Sequence, residues 1–384
     1  MERTDVAVIG AGLVGAALGY DLAMAGVNTL VLEAEDEPAA GASRSNSGVV
    51  HTGFDSEPGT LETEMIQAQA ARWRSVFDAL TIPYRVTGAL LVATNTNEAS
   101  RLPTIAENAH RNGVEVELLD AAAARRLEPR STAQAGLLVT GEAITDPYEV
   151  VRRLLAAGPE TRLRWPVEHV KLSGEGVVVS GPAGEVSASF AVNCAGLYAD
   201  EIVGDGSFRI SPRRGEFIVF SKGTADLIDR ILLPVPSERT KGVLVFPTLY
   251  GHLCAGPSAV DQEAKDDWRP RKEGLDFVKE QATKLVPSLR QLESVDAWAG
   301  LRPAGYPKDY FVEWSEHVPT LLHIAGIRST GLSSCLGLSK RALNLLTERG
   351  LELGKGRKPT PLVSAAFDGA PRPWWERLNA LRDG

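Results

Sequence analysis

The sequence is poor in cysteine, and it has neither a basic stretch nor a long apolar run. Its three cysteines lie far apart, at Cys194, Cys254 and Cys335, and their spacing matches no zinc site, iron–sulfur site or disulfide framework. We therefore expect a protein of a reducing compartment, with no bound metal. The apolar runs stay shorter than the roughly 18 to 20 residues of a membrane-spanning helix, which predicts no integral membrane segment.

Positive charge is scarce as well. Lys and Arg number 41 against 49 Asp and Glu, so the formal net charge is −8. A nucleic-acid partner needs a basic stripe, and the lack of one predicts that the chain binds no nucleic acid. Residues 5–10 already have the composition of a core strand, which leaves no room for a signal peptide. We expect a cytoplasmic protein.

What the sequence does contain is typical of a globular enzyme with two lobes. Its 384 residues exceed one typical domain. Hydrophobic residues make up 43% of the chain and charged residues 23%, which is enough apolar material for a sizeable core beneath an ordinary surface.

A glycine-rich turn near the start carries the strongest local signal. Residues 6–9 are predicted as a strand, residues 13–25 as a helix, and residues 28–33 as a second strand that ends in Glu33. The turn between the first strand and the helix is Gly10-Ala11-Gly12-Leu13-Val14-Gly15. In such a βαβ unit the glycines allow a tight turn close to a pyrophosphate, the helix N-terminus attracts the phosphates, and the acidic residue binds ribose hydroxyls. The unit predicts dinucleotide binding and leaves FAD and NAD open.

Two later segments favour FAD over NAD. In the segment 192–200, a buried strand predicted over residues 190–196 ends in Asn193-Cys194-Ala195-Gly196, and residues 324–333 are predicted as a strand that runs through glycines into a helix. A polar stretch rich in Gly and Ser, residues 41–59, is also too long for an idle connection, and long loops in compact domains are often functional.

With these segments the chain resembles the D-amino-acid oxidase-like FAD-dependent oxidoreductases, which include glycine oxidase, 2-hydroxyglutarate oxidase and the flavin-linked glycerol-3-phosphate dehydrogenases. The resemblance covers residues 6 to about 346 and is closest to the glycerol-3-phosphate dehydrogenase branch. It rests on a flavin loop (46–55 with 58–61), a substrate-domain hairpin (240–245 with 256–259) and the substrate-arginine segment Ala299-Gly300-Leu301-Arg302. The chain departs from that branch after Gly-Thr-Leu, where a lysine is usual and Glu62, Thr63 and Glu64 stand here.

The resemblance implies which residues hold FAD. The turn would approach the pyrophosphate, and residues 43–49, which lead into and begin the flavin loop, would run along the pyrophosphate, the ribityl chain and the isoalloxazine ring. Val167 would hold the adenine, and the last loop would line the pyrimidine end of the flavin. A reduced flavin gathers negative charge near N1, which the N-terminus of the helix near Ser333 would stabilise. The predicted cofactor residues are Gly10, Gly12, Leu13, Val14, Gly15, Glu33, Ala34, Ser43, Arg44, Ser45, Asn46, Ser47, Gly48, Val49, Val167, Ala195, Gly196, Gly326, Ile327, Arg328, Thr330, Gly331 and Leu332.

Three side chains are candidates for catalysis. A fixed guanidinium at Arg302 would clamp a carboxylate or phosphate, and the alternative is a structural ion pair. Arg328 would share the anion or contact the flavin edge. His51 would take a hydroxyl proton as hydride leaves carbon; the alternatives are covalent attachment to the flavin methyl, as in some relatives, and a packed structural histidine.

The sequence thus predicts an α/β fold, with a doubly wound, Rossmann-like FAD-binding domain and a second α+β substrate lobe on a mixed or antiparallel sheet. The flavin domain is expected at 1–85, 147–215 and 295–384, and the substrate lobe at 86–146 and 216–294. The expected function is FAD-dependent oxidation, by hydride transfer, of a small anionic substrate, either glycerol 3-phosphate or a 2-hydroxy acid. Oxygen, a quinone or a carrier protein would accept the electrons. The alternatives are an oxidase of amino acids or secondary amines with the same fold, and a flavin-binding protein without catalysis.

Overall fold

The structure is a computed structural model that describes residues 2–174, 176–204, 206–236, 241–359 and 372–376. Thr240 of the predicted substrate hairpin lies outside these residues. Up to residue 145 the chain forms β1 (Glu2–Ile9), α1 (Leu13–Met24), β2 (Thr29–Leu32), β3 (Val49–Val50), α2 (Leu61–Ala70), α3 (Trp73–Ala79), β4 (Tyr84–Val86), β5 (Ala89–Ala93), α4 (Thr96–Arg111), β6 (Val116–Asp120), α5 (Ala121–Leu127), β7 (Ala135–Val139) and β8 (Ala143–Thr145).

The second part of the chain returns to both lobes. Its elements are α6 (Pro147–Ala156), β9 (Glu160–Arg162), β10 (His169–Ser173), β11 (Gly176–Gly181), β12 (Gly184–Asn193), β13 (Arg209–Phe220), β14 (Ile231–Pro234), β15 (Leu244–Pro247), β16 (Leu253–Gly256), β17 (Val260–Asp261), α7 (Lys272–Leu285), β18 (Ser294–Tyr306), β19 (Phe311–Trp314), β20 (Leu321–Ala325) and α8 (Gly331–Glu348).

The first sheet has eight strands around a parallel centre. There β9, β2, β1, β12 and β20 run parallel to one another, while β11 and β19 pair antiparallel at its margins. Helix α1 packs against α6 and α8 and is almost wholly buried. Its small residues make this possible, because a Cβ on Gly19 would lie only 2.9 Å from Val31 Cγ2 on β2.

The second sheet has nine strands and forms the other lobe. Most of its pairs are antiparallel, with β13 and β18 paired along nearly their whole length, but β5 and β14 run parallel. One face of this sheet carries Phe217, Phe246 and Trp298 and joins the main core, and the other face packs under α7. The mixed sheet beside a doubly wound sheet is the fold class that the sequence predicts.

A three-stranded sheet of β3, β8 and β4 lies beside the two large sheets. The domain bounds expected from the sequence stay a proposal; β18, at the start of the segment 295–384, pairs with β13 in the second sheet.

Among the residues that the structure describes, no helix combines the length and apolar character that a membrane crossing requires.

Candidate functional site

The predicted cofactor segments meet at one edge of the first sheet. Gly10 follows β1, Glu33 follows β2, Ala195 comes just after β12, and Gly326 follows β20. Ala195 and Gly196 lie next to the glycine turn, because Cys194 N donates to Ile9 O over 2.9 Å. Ligands of open α/β sheets bind in the crevice outside the carboxyl ends of the strands, so the structure gathers these segments where a dinucleotide belongs.

The glycine turn is a cradle that a Cβ atom would fill. Gly10 has φ +99°, and a Cβ on it would lie 2.6 Å from Cys194 O. A Cβ on Gly15 would lie 1.9 Å from Gly10 O, so the start of α1 packs directly on the turn. Leu13 N donates to Ser43 Oγ over 2.9 Å, which brings two predicted cofactor residues together. The turn thus brings its main chain close to the N-terminus of α1, next to Val14. Such an arrangement is suited to binding a diphosphate.

Glu33 is held in place by backbone donors. Its Oε2 accepts from Ala11 N over 2.7 Å and its Oε1 from Glu35 N over 3.1 Å, across Ala34. Burial raises the pKa of the Glu33 carboxyl despite these hydrogen bonds. Each oxygen keeps a second lone pair for a ribose hydroxyl. Trp165 N donates to Glu33 O over 2.8 Å, so the segment that leads to Val167 runs alongside.

The flavin loop is pinned by its own side chains. Gly48 N donates to Asn46 Oδ1 over 2.9 Å, and Val49 N donates to Ser47 Oγ over 3.4 Å. Gly48 has φ +78°, and Thr145 N donates to its carbonyl over 2.8 Å. Such Asn and Ser turns fix a loop without a regular element. The loop therefore offers a preformed surface between β3 and the second sheet.

Arg44 faces the protein rather than an open site. Its side chain is fully buried, with Nη1 2.8 Å from Glu37 Oε1 and the guanidinium 5.5 Å from the centre of the Tyr148 ring. Any contact from Arg44 to a cofactor would therefore come from its main chain. The neighbouring Ser45 is also buried and accepts a hydrogen bond from Trp298 Nε1 on β18 over 3.1 Å.

The last predicted loop leads into α8. Gly326 has φ +68°, and Arg328 has φ +55°, a left-handed conformation that is uncommon for a residue with a side chain. Thr330 precedes Gly331 as the N-cap without capping α8; its Oγ1 donates instead to Glu62 Oε1 over 2.6 Å. The side chains of Ile327 and Leu332 are buried, so their backbone is what a ligand would meet.

His51 is hydrogen-bonded to Glu142. The two side chains approach to 2.9 Å between Nδ1 and Oε2, and the Glu142 carboxylate is completely buried. Glu142 Oε1 also accepts from Thr52 N and Thr52 Oγ1, each over 2.8 Å. Burial alone would lower the pKa of His51, but the charge and hydrogen bond of Glu142 raise it above its ordinary value. His51 N donates to Ser333 Oγ over 2.8 Å, which ties this group to the first turn of α8.

A lysine joins the same cluster. Lys241 Nζ lies 2.9 Å from Asp55 Oδ1, and the Lys241 side chain is 46% exposed. The charges of Lys241 and Asp55 both act on the pKa of His51, in opposite directions. No local pattern singles out Glu142, which lies 91 residues from His51 along the chain, in the turn before β8. The pairing of Lys241 with Asp55 could not be predicted from the sequence either, because the two residues lie 186 positions apart.

Arg302 lies in a second, cationic cluster. It is opposite Arg213 in the β13–β18 pair, and its Nη2 donates to Ser258 O over 2.8 Å. Burial, together with the nearby charges of Arg213 and Arg328, lowers the pKa of Arg302 to about 10, so it stays cationic near neutral pH. Arg213 already pairs with Asp261. Arg302 has no carboxylate in hydrogen-bond contact among the described residues, which suits it to an anionic ligand.

The candidate catalytic residues therefore fall into two groups. Arg302 and Arg328 lie close enough for their charges to interact, and Arg328 N donates to Pro303 O over 3.2 Å. His51 belongs with Glu142 and Lys241, and within the described ranges no direct contact joins it to Arg302. Both groups flank the loop 326–332 and the N-terminus of α8.

Gly15→Ala should abolish retention of the predicted dinucleotide. The added methyl group would meet Gly10 O at 1.9 Å, so α1 must move off the turn, and overpacking of this kind costs about 1–3 kcal/mol. The measurement is the flavin-to-protein absorbance ratio of the purified chain. Gly41→Ala is the matched control, because nothing lies within 4 Å of a Cβ there. A Gly15→Ala protein with the normal flavin content would contradict a cofactor role for this turn.

Comparison with known proteins bears on the same site. The profile of the family DAO, FAD dependent oxidoreductase, matches residues 5–345. A glycerol 3-phosphate dehydrogenase of Caloramator mitchellensis is 28% identical over 367 residues, which cover 93% of this chain and 76% of that protein. An L-2-hydroxyglutarate dehydrogenase of Escherichia coli strain K12 is 29% identical over 281 residues, covering 70% of this chain and 66% of that protein.

A solved structure shares the fold. It is the dithionite-reduced L-alpha-glycerophosphate oxidase of Mycoplasma pneumoniae with FAD bound, which matches with a TM-score of 0.84 at 24% identity, covering 90% of this chain and 95% of that one. The chain therefore belongs to the DAO family of FAD-dependent oxidoreductases, which confirms the fold class, the FAD cofactor and the type of enzyme predicted from its sequence.

Proposed function

We propose that this enzyme oxidises the hydroxyl-bearing carbon of a small anionic substrate, either glycerol 3-phosphate or a 2-hydroxy acid. The observation that carries the proposal is the pair formed by the half-buried His51 and the fully buried Glu142 carboxylate beside the N-terminus of α8. An alcohol must lose its hydroxyl proton as hydride leaves the carbon, so its oxidation needs a base. The pair supplies one.

His51 takes that proton at Nε2. Glu142 accepts the Nδ1–H of the neutral ring, which fixes the tautomer and leaves the lone pair of Nε2 for the substrate hydroxyl. The Glu142 charge then stabilises the imidazolium that forms. Bound FAD supplies the acceptor for the hydride. The substrate would leave as a carbonyl compound, with its hydride carried by the cofactor and its hydroxyl proton by His51.

Arg302 and Arg328 anchor the anion of the substrate. Arg302 offers guanidinium donors beyond the one that binds Ser258 O, and a fixed guanidinium can bind a carboxylate or phosphate with two parallel hydrogen bonds. Arg328 adds a second positive charge from the loop before α8. If the Lys241 ammonium group separates from Asp55, its positive charge would polarise the end of the substrate that lies away from the anchored anion.

The relatives support both substrate classes, since one is named for glycerol 3-phosphate and another for L-2-hydroxyglutarate. Glu62 works against a phosphate near α2, because it puts a carboxylate where the glycerol-3-phosphate branch usually has lysine, and here it accepts from Thr330. The rival with the same fold is an oxidase of an amino acid or secondary amine. A neutral amine gives up hydride without a base, so the His51–Glu142 pair favours the alcohol.

The test is an anaerobic screen of the purified, flavin-loaded enzyme. Glycerol 3-phosphate, both enantiomers of several 2-hydroxy acids, and amino acids are added in turn, and the flavin absorption bands are followed. Loss of the oxidised flavin bands with a hydroxy substrate is the expected result. Loss with amines alone would overturn the proposal in favour of the rival. The electron acceptor, whether oxygen, a quinone or a carrier protein, is then found by reoxidising the same samples. A cytoplasmic location stays part of the proposal.

A further inference from the structure

Two adjacent tryptophans near the end of the chain dock between the lobes. Trp374 and Trp375 are each 1% exposed. The Trp375 ring stacks on Trp298 of β18, with centroids 5.7 Å apart and planes 8° apart. Trp298 in turn stacks on Phe217 of β13 at 4.6 Å and 8°. The outer ring of this three-ring stack therefore comes from the C-terminal segment 372–376.

The same pair touches the flavin loop. Cη2 of Trp374 lies 3.2 Å from the position that a Cβ on Gly48 would occupy, so the ring packs against this glycine. Trp298, beneath Trp375, donates to the carbonyl of Ser45 in the same loop. The loop from Ser45 to Gly48 thus meets an aromatic ring at each end: Trp298 of the stack at Ser45, and Trp374 of the segment 372–376 at Gly48.

The pair also closes the junction between the lobes. Tyr250, in the turn before β16, meets the edges of Trp374 and Trp375 at 6.1 and 5.8 Å. The Tyr250 hydroxyl donates to Asp146, the residue that caps α6 of the flavin side. His252 contacts Trp375 at 5.6 Å. The tail therefore contacts residues that reach both sides of the cleft.

We infer that Trp374 and Trp375 are positioning residues for FAD: packed behind the flavin loop, they hold it against β18 and slow the release of the cofactor. Aromatic rings bury a large apolar area and stack with a specific geometry, so a short segment can fix a loop in this way. The inference uses the FAD cofactor of the family and does not depend on which substrate is oxidised.

The action comes from the rings and not from the indole N–H of Trp374. Within the described part of the chain, Trp374 Nε1 is buried and has no hydrogen-bond partner. Replacing Trp374 with phenylalanine removes this unpaired donor together with Cη2, the atom that packs against Gly48, so we expect faster FAD release from this variant than from the parent.

The experiment compares full-length variants by the rate of FAD release. Holoenzyme is diluted, and the recovery of free-flavin fluorescence gives the dissociation rate, while thermal unfolding of the apoprotein gives stability. Trp374→Ala with Trp375→Ala is expected to speed release by about tenfold or more. Trp375→Phe, which keeps a ring to stack on Trp298, is expected to stay within about twofold of the parent, whereas Trp374→Phe should fall between the parent and the double variant. Trp374→Leu, which keeps apolar contact without the indole, should likewise lie between the parent and the double variant and serves if the double variant does not fold.

Trp314→Ala is the matched control. This tryptophan packs under Arg349 just past the C-terminal end of α8, far along the helix from Ser333. Its loss should lower thermal stability and leave FAD release unchanged. Wild-type release from the tail variants, despite lowered stability, would overturn the inference. Release from Trp375→Phe as fast as from the double variant would overturn it as well, because a ring that can still stack on Trp298 would then not hold the loop.

Discussion

Replacing His51 with alanine is expected to slow flavin reduction by the hydroxy substrate about 10²- to 10⁴-fold, the usual contribution of a general base. The reason is that, in the described part of the site, His51 Nε2 is the one proton acceptor that the buried Glu142 carboxylate orients. Stopped-flow absorbance under anaerobic conditions measures the rate directly. Substrate binding, read as the concentration dependence of that rate, should change far less than the rate itself.

Glu142→Gln is the companion variant. Because the Glu142 charge raises the pKa of His51, and His51 acts in its neutral form, the rate should rise with pH through a value above the ordinary 6.5. Removing the charge lowers that pKa, so the acid limb of the profile should move to lower pH, with a smaller maximal rate. An unshifted limb would contradict the role of Glu142. Protein that stays yellow after acid precipitation, but not in His51→Ala, would instead assign His51 to covalent flavin attachment.

Arg302→Ala should weaken use of the substrate more than any other charge removal on the second sheet. Truncating one partner of a buried, hydrogen-bonded charge pair costs about 2–4 kcal/mol, which corresponds to about 30- to 1,000-fold in kcat/KM. The loss should appear mainly in KM if the anion is bound equally in ground and transition states. Steady-state kinetics with the substrate identified by the screen give both constants.

Arg213→Ala is the control for this prediction. Arg213 lies directly opposite Arg302 on β13, but its guanidinium already pairs with Asp261 at the surface. Its removal changes the local field without removing the anchor, and exposed pairs are worth about 1 kcal/mol at most. An equal loss from both variants would mean that the cluster acts through its summed charge. Unchanged kinetics in Arg302→Ala would leave that residue a structural role only.

The arrangement of the predicted cofactor segments could be predicted from the sequence because its signals are local, and their contacts with FAD stay a prediction. The glycine turn and Glu33 lie within one βαβ unit, and the geometry at Gly10 and Gly15 is the close packing that such a motif requires. The loop 326–332 was also predictable, since a strand that runs through glycines into a helix is a contiguous pattern. These elements form from neighbouring residues, whose spacing fixes their geometry.

The catalytic half was not readable in the same way. Glu142 meets His51 only because β8 pairs with β3, which brings residue 144 beside residue 49. The second sheet brings Lys241 to its ion pair with Asp55. Trp375, near the end of the chain, stacks on Trp298. Such contacts depend on tertiary packing between segments whose composition carries no mark of the partner. The ion pair of Arg44 with Glu37 is a smaller case of packing that the sequence does not predict, and the contact of Arg44 with the cofactor stays a prediction.

Arg328 adopts a backbone conformation that lowers stability at a position where we predict a functional role. A residue with a side chain in the left-handed region costs roughly 1–2 kcal/mol relative to the ordinary helical region, and glycine would relieve the cost. The chain nevertheless keeps arginine at φ +55°. Strain of this kind collects at functional positions, where the surrounding structure enforces it. Variants selected only for heat resistance would be expected to lose this arginine first, and a thermostable descendant with glycine there would have gained robustness at the expense of turnover.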